Sequence, residues 1–154
     1  MTDGAASHRS PVAALVLAWI FPGAGHAYAG QRGKAVLFAV LITGLLAAGF
    51  AMGRGTNILY EEWWYAPQLG AGGPAAFLTP ISSRLAGPPD KSRGGARPNA
   101  RYADPVREMG TLYTAIAGLL NLLVMMDAYV LLAYPGEKQE RERAREAGGK
   151  TRDA

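Results

Sequence analysis

Twenty-four consecutive residues, Thr111 to Tyr134 (TLYTAIAGLLNLLVMMDAYVLLAY), carry a single charge, Asp127. As a helix this run reaches roughly 36 Å, against a hydrocarbon core of about 30 Å. A second run, Ala35 to Met52, has 18 residues and no charge, or about 27 Å of helix. A helix on a soluble protein alternates polar and apolar faces at the 3.6-residue period. These two runs are apolar all round, and lipid is the solvent that suits them. The bulk composition, 49% hydrophobic and 18% charged, hides this because the charges are segregated outside the runs. The expected fold is all-α and membrane-integral, with room for one domain in 154 residues.

That domain is expected over residues 11–134, with a charged tail at 135–154. A first short helix and turn occupy 11–29. Ser10 is placed to cap it and Pro11 to open it, where a missing N–H costs nothing. Its apolar stretch, Val12 to Phe21, covers only about 15 Å, and Pro22, Gly23 and Gly25 oppose an unbroken helix to Ala29. Three readings are open: it spans, it is re-entrant, or it is a cleaved leader ending at Ala27-Tyr28-Ala29. The spans 35–52 and 111–134 flank a long connection, 53–110. Within it Glu61-Glu62-Trp63-Trp64-Tyr65 suits a membrane–water interface. Pro74 to Leu85, interrupted by Pro80, reads as an interfacial or re-entrant piece, and Gly87 to Arg101 as a flexible linker. Asp104-Pro105 repeats the cap-plus-proline start before the last span. In the tail Glu137/Arg141 and Glu146/Lys150 are helical i,i+4 pairs.

Either two or three spans place the 22–34 turn and the tail on one face. Within about 15 positions of the spans, that face holds Arg32, Lys34, Lys138, Arg141, Arg143 and Arg145. The long connection holds Arg54, Arg97, Arg101 and Arg107. The turn and tail are therefore expected to be cytoplasmic, in the inner (cell) membrane.

The segment PGAGHAYAGQRGKA is glycine-rich but fits no phosphate loop. Both fingerprints require glycine where Tyr28 stands, and a P-loop further needs Ser or Thr where Ala35 stands. A sharp turn between apolar helices explains the glycines better. A short apolar helix, G-x-G-H-x-Y-x-G, a basic pair and a second apolar helix together resemble the two-transmembrane ("TM-two") domain family and its bacterial relatives of unknown function. An aspartate within a later apolar helix, here in LVMMDAYVLL, is similar too. GTLYTAIAGLLNLLVMMDAY also looks like the closing helix of an uncharacterised bacterial membrane family. The resemblance covers 11–52 and 110–134 and points to His26, Tyr28, Gly30 and Asp127. It implies a helical hairpin around the glycine-rich turn plus a further transmembrane helix, and no activity. The 58-residue connection is longer than that compact pattern.

Asp127 within an apolar helix costs about 2.5–3.5 kcal/mol on insertion scales unless neutral, paired or facing protein. The turn supplies His26, Tyr28, Arg32 and Lys34 as partners, with His26 and Tyr28 favoured because the longer cations reach head groups. Asn121 shares a face with Thr114, Gly118 and Met125, the pattern of a close helix–helix contact. No four-ligand metal set is in view, no nucleophile elbow surrounds Ser10, Ser82 or Ser83, no cofactor motif is present, and no basic, aromatic-interleaved patch for nucleic acid. The sequence thus points to a non-catalytic scaffold or accessory subunit in the lipid bilayer, packing with itself or with partner membrane proteins. The alternative is a small transport or proton-conducting element using Asp127 and His26.

Overall fold

The computed structural model describes residues 9–90, 92, 97–99 and 104–134. The tail with its expected ion pairs, and parts of the expected 87–101 linker, lie outside the described residues. The described chain is helical, without strands: α1 (Pro11–Ile20), α2 (Ala24–Tyr28), α3 (Arg32–Met52), α4 (Tyr65–Leu69), α5 (Gly73–Ala86) and α6 (Pro105–Ala133). Of these, α3 and α6 are long and apolar enough to cross a membrane. Asp104 accepts a hydrogen bond from the Val106 N–H at the start of α6, with Pro105 opening the helix.

The glycine-rich segment is two turns with a helix between them. Ser10 caps α1 through the Ala13 N–H. The helix stops at Phe21, which is extended (φ −145°, ψ 125°), as a residue before proline prefers. Gly23 then takes φ +86°, open to glycine at little cost, and a Cβ there would lie 2.2 Å from the Ala35 carbonyl oxygen. The chain doubles back as α2, so that the Tyr28 hydroxyl accepts from the Ser10 N–H at 3.3 Å. A continuous helix from Val12 to Ala29 is therefore not formed. Instead α1 and α2 make a hairpin that runs half the length of α6 and returns to the end where it began.

The antiparallel pair α3 and α6 crosses at small residues: a Cβ on Gly110 would lie 2.5 Å from the Gly49 carbonyl oxygen. Beyond α3, residues 55–59 are buried and non-helical, and lead through α4 into α5. This second hairpin starts from the opposite end of the bundle. Its tip, Gly70–Gly73, touches the tip of the first: a Cβ on Gly72 would lie 1.5 Å from the Trp19 carbonyl oxygen. Gly72 also has φ +68°, so two requirements converge on glycine there. Pro80 does not interrupt α5, contrary to the expectation. It sits on the exposed face, where its ring has room, and on the preceding turn Thr79 Oγ1 donates to the Ala75 carbonyl.

Polarity in the bundle is inverted. Large side chains such as Val36, Val40, Phe77, Ile116 and Leu123 are exposed, whereas Asn57, Gln68, Ser82, Thr114 and Asn121 are buried. Only a small apolar cluster, including Ile42, Leu46, Ile58 and Val124, fills the centre.

Candidate functional site

Helix ends and non-helical backbone leave carbonyl and N–H groups that a buried position must pair. Most of the buried polar side chains here are committed to that task. In a continuous helix the Ala18 carbonyl would bond the N–H of residue 22, and the Gly70 carbonyl that of residue 74. Both positions are proline, with no N–H to give. Asn121 Nδ2 supplies both, donating to Ala18 O at 3.2 Å and to Gly70 O at 2.9 Å. One amide thereby joins the tips of the two hairpins near the midpoint of α6.

The buried 55–59 segment is served in the same way. Ser82 Oγ donates to Gly55 O at 2.7 Å and accepts from the Ile58 N–H at 3.1 Å. Gln68 Nε2 donates to Asn57 O and to Thr114 Oγ1. Asn57 Nδ2 reaches Gly49 O, a last-turn carbonyl of α3. Arg107 donates to Thr56 O and pairs with Glu62. Arg97, expected in a flexible linker, is buried; it donates to Ser83 O and Gly87 O at the end of α5 and pairs with Glu61. Burial alone would raise the Glu61 carboxyl, but hydrogen bonds from Arg97, the backbone and Tyr60, together with the Arg97 charge, outweigh it and lower the carboxyl from its ordinary value. A cavity of about 260 Å³ at this end is walled by Glu62, Trp64, Arg107 and Glu108.

At the other end, His26 and Lys34 both converge on Asp127. His26 is fully buried, with its ring edge-on to Phe38 at 5.0 Å between centroids. Its Nε2 lies 2.8 Å from Asp127 Oδ2, the geometry of an N–H donating to a carboxylate. Lys34 Nζ approaches the same oxygen at 3.7 Å. The Asp127 side chain is 54% exposed, so the cluster runs from the surface inward. His26 Nδ1 is buried with no hydrogen-bond partner. Gly25 makes the contact feasible: a Cβ there would lie 3.0 Å from the Ala128 Cβ and 2.4 Å from the Ala14 carbonyl oxygen.

Of the six residues singled out from sequence, the structure brings His26 and Asp127 together. Tyr28 bonds Ser10 instead, and Gly30 (φ +86°) turns the chain against Arg9. Gly118 lets α4 touch α6: a Cβ there would lie 1.9 Å from the Pro67 carbonyl oxygen. Asn121 serves the hairpin tips, one to two turns from Asp127, as a separate site. The roles of Gln68, Ser82, Arg97 and Arg107 as buried donors to backbone escaped the sequence reading. Their signal was weak, an isolated polar residue facing backbone distant in sequence.

A family model, described as a family of unknown function (DUF6677), matches residues 13–140. The chain belongs to this family. The match extends across residues 53–110, so in DUF6677 the second hairpin is part of the same unit as the two long helices. No curated protein and no solved structure matches the chain. Among the described residues no group of three or more His, Cys, Asp or Glu is placed to hold a metal ion.

The His26–Asp127 contact should be measurable as coupling. Asp127→Ala is expected to destabilise by about 1 kcal/mol, because it leaves a buried imidazole donor unpaired. Combined with His26→Ala it should cost less than the sum of the two single changes. Tyr28→Phe, which touches a different group, should add to Asp127→Ala without coupling. Thermal unfolding in mild detergent reads all three.

Proposed function

We propose that this chain is a small non-catalytic integral membrane protein, a scaffold or accessory subunit that packs with itself or with partner membrane proteins. The observation that carries the reading is the use made of its buried polar groups. Asn121, Gln68, Ser82, Asn57, Arg97 and Arg107 donate to backbone carbonyls at helix ends or in the buried loop. Non-helical backbone at membrane depth is tolerated where protein satisfies it, and these side chains do so. In lipid α3 and α6 are the spans, and the α1–α2 and α4–α5 hairpins are re-entrant from opposite faces. Their tips close on one another through glycine and backbone, which suits a static support better than a pore. The outward apolar side chains, Leu123 and Phe77 among them, are then for lipid or for a partner helix. The resemblance to the TM-two pattern agrees with a compact helical hairpin beside a further span.

A re-entrant first hairpin sets Arg9 beside Arg32 and Lys34, on the same face as the tail. Seven basic residues near the spans then face four, a bias that supports a cytoplasmic position for that face by the positive-inside rule.

A second reading, a proton-conducting element, is favoured by one feature. Asp127 is accessible at the surface while its partner His26 presents an unbonded Nδ1 to the interior. One experiment separates the two. The full chain in proteoliposomes should show the proton flux of empty vesicles, measured with an internal pH dye. A photo-crosslinker at Leu123 should give a discrete protein adduct in native membranes. Flux above the empty-vesicle level that Asp127→Asn abolishes would overturn the scaffold in favour of conduction.

A further inference from the structure

Between the first hairpin and α3 runs a groove of about 290 Å³, walled on one side by Gly23, Ala24 and Ala27 and on the other by Ala35, Val36 and Ala39. Its walls are apolar throughout, with Phe21 and Val36 exposed at its rim and Gly23 seated against Ala35 at its floor. On α3, Arg32 lies three and four positions before Ala35 and Val36 and seven before Ala39, which puts all of them on one helical face. The groove therefore descends roughly 10 Å along α3 from directly beneath Arg32. Arg32 is exposed and makes no ion pair among the described residues. Lys34, two residues on, is occupied with Asp127. The Arg9 guanidinium, 3.0 Å from where a Gly30 Cβ would stand, adds a second cation at this end.

Resting on the membrane reading above, we propose that this groove holds one acyl chain of an anionic phospholipid whose phosphate is bound by Arg32, with Arg9 adding to the positive field. An open apolar groove beneath a cation is complementary to an anionic amphiphile. Small residues also suit a partner helix, but an apolar helix in the groove would leave Arg32 without a counter-charge. Arginine is the residue suited to a phosphate, through its planar fork of donors.

The test is native mass spectrometry of the full chain in mild detergent, with equal amounts of dioleoyl phosphatidylglycerol and phosphatidylcholine. One bound phosphatidylglycerol is expected, preferred about fivefold, the scale of a single cation at a membrane surface. Arg32→Gln should abolish the preference, and Lys34→Gln should retain it. Ala27→Leu, at an exposed wall position, should reduce retention of both lipids by filling the groove. Equal binding of the two lipids by the parent would overturn the proposal. So would a preference that survives Arg32→Gln, or a dimer that forms at the expense of bound lipid. Failure to bind lipid by a protein that still inserts into vesicles rejects this site alone. Failure to insert rejects the membrane reading itself.

Discussion

Gly118→Leu is expected to prevent the second hairpin from seating on α6. Even a Cβ at this position would stand 1.9 Å from the Pro67 carbonyl oxygen, and the opposing atom is backbone, which cannot rotate away as a side chain can. Overpacking of a built core costs about 1–3 kcal/mol, occasionally more, and a full isobutyl group against a main chain belongs at or above the top of that range. The reciprocal contact, a Gly70 Cβ at 2.6 Å from the Gly118 carbonyl oxygen, shows that neither helix has slack. Asn121→Leu, three residues on, should be milder. It removes the donor to Ala18 O and Gly70 O without forcing the helices apart, and intramembrane amide bonds average about 0.6 kcal/mol by double-mutant cycle. The ratio of the two losses, read as detergent midpoints of unfolding, checks that close approach rather than polar bonding dominates this interface. Equal stability of Gly118→Leu and the parent would mean that α4 does not lie on that face.

Arg107→Ala should be comparably damaging for a different reason. Arg107 is buried, its guanidinium paired with Glu62 and bonded to Thr56 O. Its removal strands a carboxylate whose side chain is only 17% exposed, together with a buried carbonyl. Breaking a buried ion pair from one side costs about 3–5 kcal/mol. Replacing both partners at once, Arg107→Met with Glu62→Leu, should recover much of that loss, since no charge is then left unpaired. A double variant no more stable than Arg107→Ala would show that the bonds to Thr56, which hold the buried loop, matter more than the ion pair.

The two long apolar helices were legible in sequence because an apolar run of helical length is a local signal. The starts of α1 and α6 were legible because Ser10-Pro11 and Asp104-Pro105 carry cap and proline together. Topology brought the turn to Asp127 and left His26 and Tyr28 as the favoured partners; the structure selects His26. The second hairpin was not legible. Residues 53–86 have mixed polarity, and nothing local says that Asn57, Gln68 and Ser82 turn inward. Their partners lie 8 to 46 residues away, and the polarity of an interior residue here reports what backbone it must serve. Arg97 and Arg107 misled for the same reason. Counted in the charge tally for orientation, they are also buried donors to helix-end and loop carbonyls. The one long-range clue available was the pair Pro22 and Pro74. Each leaves a carbonyl four residues earlier without its helical N–H, and Asn121 is the amide that meets both.

The central claim is that two hairpins enter the bilayer from opposite faces and meet at Asn121. The chain contains no cysteine, so single cysteines at Arg9, Arg32, Arg54 and Arg84 report position against a clean background. With a membrane-impermeant thiol reagent on intact cells, positions 54 and 84 should label together. Positions 9 and 32 should label only after permeabilisation. Reaction of position 9 alongside 54 and 84, with 32 protected, would make the first segment a full span and contradict the account.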